Sequence, residues 1–294
     1  MEENKIVSLD LWGGKHIFNK NDLTYYLDRD CGLFSNITVS MYGIMKFYSL
    51  GLIPEKLSFI LNEYDRTTNI YDYLFKTSNK FLDFNDINKE EMYNFLRYTE
   101  PNFLGLGRKK NDINFKIFER IIKKYFNLSN DVENQIQDII KRHNINLNNT
   151  VFIWARKTDK VREVSIPSES KYVEVLKNNN LLNYDIILQT DDKTVVKNFE
   201  ESLINFRMLD ELPYSLNNRG FHERLSERLD EKSFILEYKM NKIEYLQKLL
   251  SLLNIATMSQ YSIVYPGNLT TFIPIIKGNF NNCISFINDK DLFS

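Results

Sequence analysis

The chain has 294 residues, of which 43% are hydrophobic, and a formal net charge of −1 at pH 7. That is enough apolar material for one large or two medium domains, and the balanced charge excludes a general electrostatic drive towards nucleic acid or an acidic membrane. Two cysteines, Cys31 and Cys283, and three histidines support neither a disulfide framework nor a metal centre.

The N-terminus is polar, and no window approaches the ~18 apolar residues of a spanning helix. A soluble, cytoplasmic protein is expected. The loop Asp28–Asn36 contains Gly32 and precedes a helix predicted from about Asn36 to Leu50. Ile37, Met41, Ile44, Met45 and Tyr48 would form its buried face, and Gly51 would stop it. Lys56–Leu61 follows as a strand. An amphipathic helix is predicted from about Asp131 to His143. The polar stretch Asn144–Asn149 then marks the best domain boundary, giving domains 1–148 and 149–294.

Thr150 opens the most informative segment. Val151–Ala155 has the unbroken apolar character of a buried parallel strand. It is followed at once by Arg156, Lys157, Thr158, Asp159 and Lys160. Ligands of open α/β sheets bind at the carboxyl ends of strands. Three cations and a hydroxyl at such a point suit an anion, above all a phosphate. The same residues also suit an ordinary charged surface turn.

A second strand, Tyr184–Gln189, ends in Thr190-Asp191-Asp192. The helix predicted after it, Lys193–Phe206, carries Val195, Val196, Phe199, Leu203 and Phe206 on its packing face. Asp191 and Asp192 suit an N-cap at the positive end of that helix, and also suit holding the basic loop beside them. Arg219-Gly220-Phe221-His222 follows, in which His222 reads as an ordinary core or surface histidine or as a ligand contact. A third strand, Tyr261–Tyr265, leads into Pro266–Thr271. That segment makes a good turn, and its hydroxyls and free N–H groups at a helix start would also bind phosphate. The three strand–loop–helix units predict a mainly parallel sheet with helices on both faces, and Arg156 and Asn268 at the same edge. The last residues, from about Asn279, are expected to fold back on the first domain.

Trp154-Ala155-Arg156-Lys157-Thr158-Asp159-Lys160 resembles the HVRRTDK-type motif of the core α1,6-fucosyltransferases and their bacterial chitin-oligosaccharide relatives. Arg156, Thr158, Asp159 and Lys160 match it. Lys157 stands where the family has a second arginine, and Trp154 where it has a histidine. Thr190-Asp191-Asp192 is similar to a second family element, and Gly220-Phe221-His222 to a third. Asn268, Thr270 and Thr271 correspond in position and chemistry, not identity.

The resemblance implies an α/β fold of GT-B type, with two Rossmann-like domains and a cleft between them. It implies a metal-independent, inverting transferase that moves fucose from GDP-fucose to a glycan acceptor. Donor contacts would come from Arg156, Lys157, Thr158, Asp159, Asp191, Asp192, His222, Asn268, Thr270 and Thr271. Gly32, Ser35 and Asn36 would lie on the acceptor side. Arg156 and Lys160 would neutralise the leaving phosphate. Glu163, one residue closer to the motif lysine than the family's acidic residue, would be the base, with Asp159 the competitor or the partner that orients Arg156. A transferase using another nucleotide sugar, or a non-catalytic nucleotide- or sugar-binding protein, would carry many of the same features.

Overall fold

The computed structural model describes residues 5–11, 14–28, 32–59, 68–80, 82–85, 87, 115–157, 167–214, 231–265, 267–287 and 290–291. The chain opens with three strands, β1 (Ile6–Leu11), β2 (Gly14–Asn19) and β3 (Thr24–Asp28), paired antiparallel in sequence order. Helix α1 (Leu33–Ser49) crosses the sheet, and β4 (Lys56–Phe59) pairs parallel with β3. One face alternates apolar and buried: His16 and Phe18, Tyr25 and Leu27, Leu57 and Phe59. This is the period-two pattern of a sheet covered by a helix on that side.

Helix α1 starts three residues earlier than its periodicity predicts. Ile37, Met41, Ile44 and Met45 are buried as expected, and Tyr48 is half-buried. Its end follows the sequence closely. Gly51 adopts φ 76°, its N–H bonds to Tyr48 O, and the N–H of Leu52 bonds to Phe47 O. That is the paired closure of a Schellman motif, which a glycine enters without a Cβ penalty. Gly43 has a different reason to be glycine. A Cβ there would lie 2.1 Å from His16 Nδ1 and 2.5 Å from Tyr25 Oη. Those two buried groups share a 2.7 Å hydrogen bond directly under the helix.

Next come the short helix α2 (Tyr71–Leu74), β5 (Phe75–Lys76), α3 (Phe115–Tyr125), β6 (Asn127–Leu128) and α4 (Asn130–Arg142). Ser129 caps α4 by accepting from Val132 N–H. Val132, Ile136 and Ile139 are its buried stripe. A single turn of 3₁₀ helix, Leu147–Asn149, leads into β7 (Thr150–Ala155).

The second sheet has the order β11-β10-β9-β7-β8. It comprises β7, β8 (Asp185–Thr190), β9 (Tyr261–Val264), β10 (Cys283–Ile287) and the two-residue edge β11 (Lys290–Asp291). All pairs are parallel except β10 with β11. Helices α5 (Glu169–Asn178), α6 (Lys193–Glu201), α7 (Glu231–Tyr238), α8 (Lys242–Met258) and α9 (Asn268–Lys277) complete the described elements. Every residue of β7 is buried. Val151, Ile153 and Ala155 pack with Tyr172 of α5 and Phe199 of α6, whereas Phe152 and Trp154 join the larger core that includes α8 and α9. That larger core continues into the first half, where α9 packs on α1 and α3, and α8 on α4.

Two expectations are corrected here. The helix after β8 ends at Glu201, not Phe206. Leu203 turns left-handed at φ 57° and is 93% exposed. Beyond it Ile204, Phe206 and Met208 pack on the core at period two, and Arg207 pairs with β8 through backbone bonds to Ile186 and Leu188. The last residues supply β10 to the second sheet, although Phe280 also meets Phe115 of α3 edge to face, with ring centroids 5.0 Å apart.

The close approach at Gly43 generates a prediction. Gly43→Ala gains helix propensity, worth about 1 kcal/mol, but must displace the His16–Tyr25 pair. Overpacking of this kind costs about 1–3 kcal/mol, so the denaturant midpoint should fall. A midpoint equal to or above wild type would show that the helix–sheet contact is looser than described.

Candidate active site

Parallel pairing places the ends of β7, β8 and β9 on one edge. Ala155 is level with Thr190, and Trp154 with Val264. Arg156, Asp191 and the start of α9 therefore gather there, as the strand–loop–helix pattern predicts. Helices α5, α6 and α9, which follow these strands, begin at this edge and bring their N-termini to it.

Arg156 and Asp191 form the centre of the described site. Arg156 Nε donates to Asp191 Oδ2 at 3.1 Å, with the two side chains 18% and 15% exposed. The N–H of Lys157 approaches Asp191 Oδ1 at 3.4 Å. One carboxylate thus spans the ends of two neighbouring strands, which fixes the guanidinium far better than an exposed pair would. Lys157 turns the other way, to Glu169 Oε1 at 2.8 Å. Glu169 is the first residue of α5, where a carboxylate also meets the positive end of the helix.

Asp192 does separate work. It is the N-cap of α6, accepting from the backbone N–H of Thr194 at 2.7 Å and from its hydroxyl at 2.8 Å. Thr190 Oγ1 receives the N–H of Asp192 at 3.2 Å. Both alternatives open in the sequence for Asp191-Asp192 are therefore realised, one by each residue.

Tyr245, in the first turn of α8, sits close enough to sense this pair. Burial pushes its phenol well above the ordinary range; the Arg156 charge pulls the other way, and Asp191, Tyr238 and Tyr265 add to the rise. The Tyr245 phenol is thereby biased towards its neutral form. Tyr265 continues β9, and its N–H bonds to Trp154 O. Gly267, the N-cap residue of α9, leaves only 2.8 Å between a would-be Cβ and the Tyr265 ring. The α9 start offers no side-chain cap from that residue.

On the opposite side, Gly32 is the N-cap residue of α1. Phe34, two residues on, meets Phe272 of α9 with ring centroids 5.6 Å apart. The α1 and α9 N-terminal turns therefore adjoin. Gly32 and Asn36 are buried, and Ser35 is half-buried. Asn268, Thr270 and Thr271 lie in the first turn of α9. Thr158, Asp159, Lys160, Glu163 and His222 lie outside the described residues.

Glu169 and Tyr245 went unread in the sequence. Glu169 had a signal, since Ser168-Glu169 is a helix start with an acid in the first turn. Tyr245 had none, because only the tertiary fold carries α8 to this edge.

No family model matches the chain, and no curated protein matches it. Among solved structures, NodZ alpha-1,6-fucosyltransferase soaked with GDP-fucose is similar over 86% of this chain and 91% of that one, at 10% identity and a TM-score of 0.49. The same transferase co-crystallized with GDP is similar over 81% and 88%, at 10% identity and a TM-score of 0.45. Fucosyltransferase NodZ from Bradyrhizobium is similar over 77% and 84%, at 9% identity and a TM-score of 0.44. No helix among the described residues is long and apolar enough to cross a membrane.

The Lys157–Glu169 contact has a pH signature. Burial by itself raises the Glu169 carboxyl, but the bond from Lys157, its helix backbone N–H, the Lys157 charge and Asn198 together bring it below the usual range. A depressed carboxyl contributes stability that is present above its unfolded value, about 4.3, and is lost as pH falls through the folded value. Carboxyl-carbon NMR should therefore place the Glu169 midpoint below that of an unfolded chain, and Lys157→Met should move it upward. An unchanged midpoint in Lys157→Met would remove the lysine as the cause.

Proposed function

We propose that this chain is a glycosyltransferase of GT-B type, moving fucose from GDP-fucose to a glycan hydroxyl with inversion and without a metal. The observation that carries the reading is Arg156, held by Asp191 at the carboxyl edge of a parallel sheet within a strand-end sequence that resembles the fucosyltransferase motif. The domain division at residue 149 and a cytoplasmic location belong to the same proposal.

In this reading the donor diphosphate lies between Arg156 and the first turn of α9. As the bond from the anomeric carbon to the β-phosphate oxygen breaks, charge grows on that oxygen. Arg156 accommodates it through a planar fork of donors, and Lys160 as a point charge. Asn268, Thr270 and Thr271 add hydroxyl, amide or backbone donors at the positive helix end. Thr158, Asp159 and His222 complete the donor contacts, and Lys157, tied to Glu169, sets the loop together with Asp191 and Asp192. The acceptor hydroxyl, entering from the Gly32–Asn36 side, attacks the face opposite the departing phosphate, so the new bond has inverted configuration. Its proton passes to the carboxylate of Glu163, with Asp159 the competing acceptor.

The first test is calorimetric. GDP should bind in preference to UDP, CMP and ADP, and Arg156→Ala should weaken GDP by ~10- to 150-fold, corresponding to a charge-assisted hydrogen bond of ~1.5–3 kcal/mol. Unchanged GDP affinity in a folded Arg156→Ala protein would take Arg156 out of the site.

The second concerns the metal. Turnover of the sugar nucleotide should persist in excess EDTA, because protein cations and helix N–H groups take the charge that a metal otherwise would. Loss of turnover restored by Mn²⁺ or Mg²⁺ would overturn the metal-independent mechanism.

A further inference from the structure

A partly open cavity of about 180 Å³ lies between α3, α8 and α9. Phe75 of β5 and Phe126, just after α3, wall it from the first half of the chain. Leu250 of α8 and Phe272 and Ile276 of α9 wall it from the second. Phe75 and Phe126 stand edge to face with ring centroids 5.3 Å apart. A dry apolar cavity of ~150 Å³ admits a benzene-sized molecule.

Two amides join this wall, Asn254 and Asn127. Asn254 is 9% exposed, and its Nδ2 donates back to Leu250 O at 2.8 Å. The Nδ2 of Asn127 donates to Lys123 O at 3.0 Å and to Lys76 O at 3.4 Å. Neither amide oxygen receives a hydrogen bond from a described residue. Asn127 thus uses two amide donors and Asn254 one of its two, and the acceptor of each amide remains available. An aromatic ring matches the phenylalanine walls, and one N–H or O–H on that ring matches an amide oxygen.

We propose that this cavity is a binding site for a small aromatic molecule of phenol or indole size that carries one hydrogen-bond donor. The site is separate from the sheet edge that holds Arg156. Its walls come from both halves of the chain, so an occupant touches both and stabilises their packing. It also abuts Phe272, whose ring meets Phe34 at the α1–α9 junction.

Indole, phenol and 1-methylindole are the probes, read by thermal shift and by calorimetry on the full chain. Indole and phenol should raise the unfolding temperature saturably, as a ligand of the folded state must. 1-Methylindole, lacking the donor, should bind ~2- to 10-fold more weakly than indole, the worth of one net hydrogen bond. Ile276→Phe should fill the cavity and weaken indole by more than about tenfold. If that variant does not fold, Leu128→Phe, from the β6 side of the same cavity, serves in its place. The proposal is overturned by any of three results: no saturable binding of indole or phenol, equal binding of indole and 1-methylindole, or wild-type affinity in the folded filled variant.

Discussion

Parallel pairing of β7 between β8 and β9 is the constraint on which the rest depends. A parallel strand needs a crossover to reach its neighbour, and each crossover helix starts where its strand ends. The ends of β7, β8 and β9 and the starts of α5, α6 and α9 must therefore share one edge. Charged side chains are kept out of the middle of the strands, because both faces of the sheet are covered and only neutral polar groups such as Gln189 and Ser262 are buried there; Phe152 and Ile153, which face opposite ways, are each fully buried. Charge is thereby pushed to the strand ends: Asp185 opens β8 and pairs with Arg207, and Arg156, Lys157, Asp191 and Asp192 lie at the carboxyl edge.

At that edge the charges are paired in a definite order. Asp191 takes Arg156, Glu169 takes Lys157, and Asp192 closes the N-terminus of α6. The pairing keeps half-buried ions compensated, and the Arg156–Asp191 pair crosses from the β7 unit to the β8 unit. The same principle recurs away from the site. Glu211, only 4% exposed, accepts from His143 at 2.8 Å and Arg142 at 2.9 Å, with Lys248 at 3.9 Å. That network ties the end of α4 to α8, and so joins segments on either side of residue 149.

Sequence periodicity captured the buried strands of the second half closely. The apolar run 151–155 and the run 184–189 could be nothing but buried strands at their lengths, and both were found within a residue. Gly51 gave the end of α1 because a left-handed position strongly favours glycine. The segment 202–208 misled because Leu203 and Phe206 continue a helical spacing from Phe199. A turn at Leu203 switches the period from 3.6 to 2, and only the pairing of Arg207 with β8 reveals it. The first three strands escaped notice because β1 alternates weakly, with every described residue exposed or half-buried.

The sequence by itself determined the strand–loop–helix order of the second half, the edge on which its cations fall, and the resemblance that names a chemistry. These are local properties, fixed by apolar run length, side-chain period and the residues that follow each strand. Tertiary structure alone decided which carboxylate holds Arg156. The sequence offered Asp159, Asp191 and Asp192 for the basic loop, and Asp191, 35 residues on from Arg156, is the observed partner among the described residues. It likewise brought Tyr245 to the same pair and Phe34 against Phe272. Such choices depend on the register between strands distant in sequence, and no spacing within one segment encodes that register.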